Sequence, residues 1–239
     1  MKTIGLIGGT TWVSTLEYYK LFNQKTHKFL GKNHSARVIL YSVDFEDVLR
    51  FKAEGRDDAL RKMMLEASNA VDYAGADCLL LGANTMHMMA GFIADRISIP
   101  LIHIAEETAR VIENHNMKKV ALLGTKITME REFYRQKLSG FGISSITPGE
   151  TDRDYINSTI FDEFSKEIFS EETRQKYRSI IDKLVKDGAE GIILGCTEIP
   201  LLLDQKDFEI PLFNTTDIHA EAAVRFALGN EYPEHKGIE

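Results

Sequence analysis

The chain has 239 residues, 44% of them hydrophobic and 27% charged, a composition that supports one or two globular cores and excludes disordered and collagen-like chains. Its formal charge is −7, and its lysines and arginines are scattered among acidic residues, so nucleic acid and anionic membranes are poor candidates as partners. No apolar run approaches the ~20 residues of a membrane span, and the N-terminal run is too short for a secretory signal, so we expect a soluble, cytoplasmic protein.

Short apolar runs alternate with longer amphipathic segments along the whole chain. The short runs predict strands at Thr3–Ile7, Ala36–Ser42, Cys78–Leu81, Leu101–His103, Val120–Leu123, Gly191–Leu194 and Pro211–Phe213. The segments between them predict helices at Leu16–Leu30, Asp57–Tyr73, Ala105–Asn114, Glu130–Leu138, Asn157–Glu167, Glu172–Asp187 and Asp217–Leu228. Alternation of this kind is typical of an α/β fold, in which helices cover Rossmann-like parallel sheets.

Three pairs of segments repeat in the same order along the chain. Residues 2–8 match 118–124, residues 75–83 match 188–196, and residues 99–101 match 210–212. An internal repeat of this length predicts two similar domains, with equivalent positions facing each other across a cleft. We place the first domain at residues 1–103 plus 214–239 and the second at residues 104–213.

Each predicted domain has two turns that follow apolar strands, at residues 8–11 and 82–85 and at residues 124–128 and 195–198. Ligands of open α/β sheets bind beyond the carboxyl ends of the strands, where the N–H groups of helix N-termini favour anions. These turns are rich in hydroxyl side chains, so we expect a small site that suits a carboxylate.

The chain has two cysteines, and they occupy different positions in the pattern. Cys196 follows a strand and a glycine and precedes Pro200, so we expect its thiol at a helix N-terminus, where its pKa would be lowered. The alternative is a buried structural cysteine. Cys78 lies inside a predicted strand and is expected to be an inert core thiol.

The internal repeat pairs Cys196 with Ala83. Thiols at both positions would flank one bound carbon from opposite faces, as a two-base proton exchange requires, but this chain has only one of them. Next to Ala83, Asn84 and Thr85 can hydrogen-bond a substrate. His87 is the nearest side chain whose usual pKa suits proton transfer, although a structural histidine is the competing interpretation.

The glycine and histidine spacings match no dinucleotide, nucleotide or metal motif. Gly5, Gly8 and Gly9 lack the G-x-G-x-x-G spacing, and the seven histidines are dispersed. We therefore expect no cofactor and no metal.

Several motifs together resemble the aspartate/glutamate racemase family over essentially the whole chain. They are Gly8-Gly9 with Trp12 and Ser14-Thr15, residues 84–87, residues 123–129, and residues 195–198. The resemblance implies a cofactor-independent enzyme of two similar α/β domains with the site between them. It also implies a homodimer and two cysteines, one from each domain, acting as acid and base at the α-carbon of an amino acid. The position of the family's second cysteine corresponds to Cys196. The position of its first cysteine corresponds to Ala83, where this chain departs from the pattern.

An alanine methyl can neither take nor give a proton, and three explanations of Ala83 stay open. A neighbouring group such as Thr85, His87 or a held water serves the second face of the substrate. The protein instead runs a one-base reaction, like the single-cysteine decarboxylases of the same superfamily. Finally, the alanine is an introduced substitution.

The resemblance also suggests which residues bind the substrate. Arg50 and Lys52, and Lys166 on the helix after Asn157, are candidates for holding a distal carboxylate, although residues of this kind are more often solvated helix charges. The remaining substrate-binding candidates are the polar residues of the strand-end turns: Thr10, Asn84, Thr85 and Thr197.

The leading hypothesis is an amino-acid racemase that acts on aspartate or glutamate through the Cys196 thiol. One alternative is a single-cysteine decarboxylase or isomerase of a small dicarboxylate. The other is a catalytically silent amino-acid binder that has kept the cleft and lost one base.

Overall fold

The computed structural model describes residues 1–229, which divide into two compact units. Unit 1 contains Met1–Gly82, Met89–His103 and residues 219–229, and unit 2 contains Ala83–Met88 and Ile104–Ile218. Residues 230–239, the end of the first predicted domain, lie outside the described residues. Within the described range, no helix combines the length and the apolar character that crossing a membrane requires.

Unit 1 is built on a three-stranded parallel sheet with the order β2-β1-β3. Its strands are β1 (Ile4–Gly8), β2 (Val38–Ser42) and β3 (Cys78–Leu81), and its first helices are α1 (Trp12–Leu30), α2 (Phe45–Ala53), α3 (Asp57–Tyr73) and α4 (Ala90–Ala94). The central strand β1 is completely buried, as expected of a parallel strand that is covered on both faces. Leu101 adds an isolated parallel bridge to Leu79 on β3.

Unit 2 is built on a four-stranded parallel sheet with the order β5-β4-β6-β7. Its strands are β4 (Lys119–Gly124), β5 (Ser144–Ile146), β6 (Ile192–Gly195) and β7 (Leu212–Asn214). Its helices are α5 (Ile104–Asn114), α6 (Lys126–Glu130), α7 (Glu132–Ser139), α8 (Glu150–Asp162), α9 (Glu171–Lys186) and α10 (Ile199–Leu202), with 3₁₀ turns at Asn84–Met89, Phe164–Lys166 and Gln205–Asp207.

The two sheets have the same strand order once the bridge at Leu101 is counted. In both, the first strand lies at the centre, the second at one edge, and the third on the other side, followed by a fourth segment. The predicted α/β fold with two similar parallel sheets is therefore confirmed.

The last helix, α11 (Thr215–Leu228), belongs to unit 1 from His219 onward. There it shares a hydrophobic core with α1, β1 and β3. The His219 ring is fully buried, with Nε2 2.8 Å from the Ile102 carbonyl oxygen and Nδ1 2.8 Å from the Tyr18 hydroxyl oxygen. Because a carbonyl only accepts, Nε2 donates to Ile102 and Nδ1 accepts from Tyr18, which joins α11 to α1 and to the segment before α5.

Three sequence predictions about secondary structure are wrong. The strand predicted at Leu101–His103 is only the single bridge of Leu101, because α5 begins at Ile104 and leaves no length for a ladder. The helix predicted at 157–167 begins earlier and ends at Asp162. The helix predicted at 130–138 is interrupted, because Arg131 has an extended backbone that separates α6 from α7.

Candidate active site

Two glycines let β4 and β6 approach closely where they end. Gly124 lies opposite Gly195 in the parallel register. A Cβ atom on Gly195 would lie 2.7 Å from the Leu123 carbonyl oxygen, and one on Gly124 would lie 2.7 Å from the Gly195 carbonyl oxygen. Both distances are too short for any side chain, so glycine is required where the chain turns into Cys196.

The Cys196 thiol forms a hydrogen bond with a buried carboxylate. Its Sγ donates to Glu198 Oε2 at 2.9 Å, and the hydroxyl of Thr197 donates to the same oxygen at 2.6 Å. Cys196 is 8% exposed and Glu198 2% exposed. The thiol is therefore held against an acceptor that can take its proton.

The expectation of a lowered Cys196 pKa is wrong. Burial raises the pKa of the thiol well above its usual range, and the negative charge of Glu198 and its hydrogen bond raise it further. The N–H groups of Glu198 and Thr197 act in the opposite direction but are outweighed. The helix that follows, α10, is a single turn of four residues, so its dipole is too small to reverse the effect of burial.

Ala83 immediately precedes the 3₁₀ turn Asn84–Met89 and is half-buried. Its carbonyl oxygen lies 3.0 Å from Nδ1 of His87, so Nδ1 carries the hydrogen and donates. The His87 side chain is 2% exposed. The predicted proton-transfer residue is therefore a buried histidine oriented by the backbone of Ala83.

A chain of hydrogen bonds connects Asn84 to the end of β6. The Thr215 hydroxyl donates to the Leu194 carbonyl oxygen at 2.8 Å, so its oxygen accepts from Asn84 Nδ2 at 3.1 Å. This fixes the orientation of the amide and leaves Asn84 Oδ1, which is buried, without a partner within residues 1–229. A buried acceptor without a donor costs about 1–3 kcal/mol, which a bound donor would recover.

Three threonine hydroxyls form a closed triangle at the end of β4. The Thr85 oxygen lies 3.0 Å from that of Thr125 and 3.3 Å from that of Thr128, and the last two are 3.1 Å apart. Thr85 and Thr128 are buried. A ring of three hydroxyls uses its donors internally, and an anion can compete for them because each hydroxyl rotates.

In unit 1 the turn between β1 and α1 is organised by hydroxyl side chains. Thr11 caps α1 by accepting from Ser14 N at 3.2 Å, and Thr15 accepts from Gly9 N at 2.8 Å. The neighbouring hydroxyl of Thr10 is buried and has no partner in the part of the chain that the structure describes. A ligand would supply the partner that the Thr10 hydroxyl lacks there.

The three predicted carboxylate-binding cations differ in their surroundings. Arg50 on α2 is exposed and forms an ion pair with Asp47 on the same helix. Lys52 is half-buried, and burial lowers its pKa while Asp57 raises it. Lys166 is exposed and lies on the 3₁₀ turn Phe164–Lys166, so the prediction that it lies on a helix is wrong. Of the three, Lys52 has the most to gain from an anionic ligand.

The remaining cysteine, Cys78, is held protonated in the core, and the acidic residues of the described range form no metal site. Cys78 is completely buried on β3, and burial raises its pKa to about 12. Among residues 1–229, no three or more His, Cys, Asp or Glu side chains are grouped to hold a metal ion.

Sequence reasoning missed four residues that organise the candidate site in unit 2: Glu198, Thr125, Thr128 and Thr215. Glu198 was visible in the motif of residues 195–198, and the two threonines follow the strand-end glycine Gly124. Thr215 had no such signal, because its contact with Asn84 joins positions 131 residues apart.

Residues 7–223 match the Asp/Glu/hydantoin racemase family, and the chain belongs to that family. A crystal structure of a candidate Asp/Glu racemase from Yersinia pestis is 44% identical and covers 95% of this chain and 100% of its own, with a TM-score of 0.89. An aspartate racemase homologue from Pyrococcus horikoshii OT3 is 32% identical, with coverages of 95% and 99% and a TM-score of 0.84. The broad specificity amino-acid racemase RacX of Bacillus subtilis (strain 168) is 26% identical over 167 residues, 70% of this chain and 72% of RacX.

Proposed function

We propose that this chain is a cofactor-independent racemase of aspartate or glutamate that exchanges the α-proton through Cys196. The observation that carries the proposal is the Cys196 thiol, which is buried at the end of β6 and donates to Glu198 at 2.9 Å. Membership of the racemase family supports the reaction class. The two finer points, the substrate and the role of the thiol, rest on the chemistry of the residues around it.

Glu198 gives the high-pKa thiol a route to react as a base. The thiol proton moves to Glu198 Oε2, and the resulting thiolate takes the α-proton, leaving its electron pair on the α-carbon and the adjacent carboxylate. A thiolate of raised pKa is a stronger base than an ordinary one, which suits a proton as weakly acidic as that of an amino acid. In the reverse direction the Cys196 thiol donates its proton to the α-carbon and recovers one from Glu198.

The polar residues of unit 2 offer complementary groups for an amino acid. Asn84 Oδ1 is an acceptor that suits the α-ammonium, and the hydroxyls of Thr85, Thr125 and Thr128 are donors that suit the α-carboxylate. Their hydrogen bonds would strengthen as negative charge builds up on the carboxylate. The hydroxyl of Thr197 donates to the Glu198 carboxylate. We therefore assign two roles to Thr197, which are to hold the Glu198 carboxylate in place and to bind the substrate.

The other sequence-based predictions remain part of the proposal. The predicted substrate-binding residues are Thr10, Arg50 and Lys52 on unit 1 and Lys166 on unit 2. Thr10 and Lys52 are the best supported of the four, because they are the more buried. The predicted cytoplasmic location and homodimer stay predictions, as do the domain bounds.

A second candidate function is favoured by Ala83. Without a thiol there, one face of the substrate depends on Thr85, His87 or a water, and a reaction that needs only one thiol avoids that difficulty. Decarboxylation of a small dicarboxylate is such a reaction, because a single Cys196 proton completes it.

The experiment is proton NMR of the protein in deuterium oxide with each enantiomer of aspartate and glutamate. We expect loss of the α-proton signal of at least one amino acid, with the opposite enantiomer appearing in a chiral separation of the same sample. Carbon dioxide release from a dicarboxylate would favour the decarboxylase. Binding with neither proton exchange nor carbon dioxide release would contradict both reactions and leave the silent binder.

Replacement of Glu198 by glutamine is expected to lower the pKa of Cys196 and to slow exchange. The glutamine removes the negative charge that raises the pKa of the thiol, so the thiolate forms at lower pH than in the wild type. It also removes the proton acceptor, and we expect roughly 10²-fold slower exchange, in the range of lost general acid–base groups. The pH dependence of Cys196 alkylation by iodoacetamide measures the first effect, and NMR exchange measures the second.

Glu172→Gln is the control, because Glu172 is exposed on α9. It should leave the alkylation profile and the exchange rate unchanged. If the alkylation profile of Glu198→Gln matches the wild type, the carboxylate does not govern the thiol and this part of the proposal fails.

A further inference from the structure

A cavity of about 360 Å³ lies within unit 2, between α9, α10 and β7. It is lined by residues 174, 194, 200–206, 212 and 214 and is called here the α9–α10 cavity. Its volume falls within the ~300–1,000 Å³ that is typical of sites for small molecules. Cys196, Glu198 and the three threonines at the end of β4 are not part of its lining. The α9–α10 cavity is therefore separate from the candidate active site, although both adjoin β6.

The apolar part of the lining is a set of aliphatic side chains. Leu202 and Leu203 are 1% and 4% exposed, whereas Leu201 beside them is 40% exposed. The set consists of Pro200 and five leucines, which are Leu194, Leu201, Leu202, Leu203 and Leu212. Because removing apolar surface from water is favourable, this part of the lining favours a ligand with an aliphatic body.

Arg174 on α9 supplies an unsatisfied donor to the cavity. Its Nε is buried and has no hydrogen-bond acceptor within residues 1–229. Glu171 Oε2 lies 3.1 Å from that nitrogen as an ion pair, but it is not aligned with the N–H. Glu171 is mostly exposed and lies outside the lining, so the ion pair is a weak, solvated one. A buried donor without an acceptor is destabilising, and a carboxylate is an acceptor that arginine binds particularly well.

The other two charges of the lining neutralise each other. Lys206 Nζ lies 2.8 Å from Asp204 Oδ2, so Arg174 is the lining cation that remains for an anionic ligand. Asn214 adds a second donor. Its Oδ1 accepts from two backbone N–H groups at the start of α11, at 3.1 Å each, which orients the amide and leaves Nδ2 as the donor on its other side.

Gln205 fixes the shape of the α9–α10 cavity. Its Nε2 donates to the carbonyl oxygens of Phe208 and Ile210, at 3.1 Å each, and its Oε1 accepts from the N–H of Leu212 at 2.7 Å. These three hydrogen bonds tie the segment after α10 to the first residue of β7. The cavity is therefore formed before a ligand arrives, which lowers the entropic cost of binding.

We propose that the α9–α10 cavity binds a small aliphatic carboxylate. The carboxylate accepts a hydrogen bond from Arg174 Nε, and the hydrocarbon chain lies on the leucines of the lining. Carboxylic acids and apolar amino acids share this chemistry. They differ in the α-ammonium group, for which Asp204 is the acceptor within the lining. The proposal is independent of the reaction proposed above, because none of the lining residues takes part in that reaction.

A ligand in the α9–α10 cavity would also stabilise the segment that carries Cys196. Leu194 precedes this segment and Pro200 follows it, so the lining flanks the segment along the chain. Alkylation of the buried thiol requires local opening of the segment, and a ligand that binds only the closed form suppresses this opening by mass action. We expect about 10-fold slower alkylation of Cys196 by iodoacetamide when the ligand is present at about 10 times its Kd.

Ligand-observed NMR titration of the full chain tests the proposal with three probes. Isocaproate and L-leucine share an aliphatic body and a carboxylate, whereas isoamylamine has the same body without the carboxylate. We expect isocaproate or L-leucine to bind and isoamylamine not to bind, and the tighter of the two carboxylates identifies the source of the ligand. Arg174→Gln should weaken carboxylate binding by about 10-fold or more, the effect of losing one charged hydrogen bond.

Arg135→Gln is the matched control for Arg174→Gln. Arg135 forms an ion pair with Glu132, three residues earlier on α7, as Arg174 does with Glu171 on α9, and this variant should bind the probes like the wild type. Leu201→Trp is a second variant, in which a larger side chain at an exposed position fills the cavity and should abolish binding. Val185→Trp is its control, because Val185 is a 41% exposed residue of α9 outside the lining.

Three results would overturn the proposal. The first is a wild type that binds neither carboxylate at millimolar concentrations. The second is binding that withstands Arg174→Gln and Leu201→Trp but is lost in Thr85→Val, because the ligand then lies at the candidate active site. The third is isoamylamine that binds as tightly as isocaproate. Slower alkylation that persists in Arg174→Gln would likewise contradict the predicted effect of the cavity on Cys196.

Discussion

Replacing Cys196 by alanine is expected to abolish exchange of the α-proton. In the proposed reaction the Cys196 thiol alternates between proton donor and base at the α-carbon, and Glu198, which accepts its hydrogen bond, acts through it. Loss of an acid–base group of this kind lowers the reaction rate by at least ~10²–10⁴-fold, which would place the exchange rate below detection. Proton NMR in deuterium oxide with the enantiomers of aspartate and glutamate measures the loss.

The matched control is Cys78→Ala, which removes the other thiol of the chain. Cys78 is buried on β3, and its pKa of about 12 keeps it protonated, so exchange should persist in this variant. Circular dichroism should show that both variants fold, because alanine fits both buried sites with only a small cavity. Exchange that continues in Cys196→Ala would exclude the thiol as the base and would favour His87 or a water.

The sequence predicted the layers of the fold because its signals are local. Helix α3 was predicted with its observed bounds, Asp57–Tyr73, and β3 likewise at Cys78–Leu81. Helix α3 has strong apolar periodicity, β3 is a continuous apolar run, and each is followed by a glycine-containing turn. Strand β5 was missed, because its three residues, Ser144–Ile146, are too few for a periodic pattern and form an edge strand.

The candidate site was predictable as a set of turns but not as a set of contacts. The position of Cys196 after β6 follows from the apolar run and the glycine before it. The environment of its thiol does not, because the pKa depends on how deeply Glu198 and Cys196 are buried together. A helix N-terminus was expected to lower the pKa, and burial beside a carboxylate reverses the direction.

The link between Asn84 and Thr215 shows the same limit. Asn84 lies in a polar turn that sequence patterns identify and Thr215 does not, and the hydrogen bond joins segments that are far apart in the chain. Only the folded structure determines whether the oxygen or the nitrogen of this buried asparagine amide is left for a ligand.

Introducing the missing thiol by Ala83→Cys is expected to increase racemisation strongly. The internal repeat pairs position 83 with Cys196, so the new thiol would serve the substrate face that now depends on Thr85, His87 or water. A well-placed acid–base group contributes ~10²–10⁴-fold, and we expect a gain in that range for interconversion of the enantiomers. Because Ala83 is only half-buried, one added sulfur atom can be accommodated. The hydrogen bond from His87 goes to the backbone carbonyl oxygen of residue 83, so the substitution leaves it in place.

Chiral chromatography measures racemisation, and two further variants make the result specific. Ala83→Ser adds an atom in the same place but a hydroxyl too weakly acidic to exchange protons efficiently, so it should give little gain. The double variant Ala83→Cys with Cys196→Ala should lose the gain, because one thiol would again face the substrate from one side. If Ala83→Cys folds and binds the amino acid but racemises no faster than the wild type, the two positions do not flank one carbon. The single-thiol reaction would then account for the alanine better than a racemase with a weakened second base.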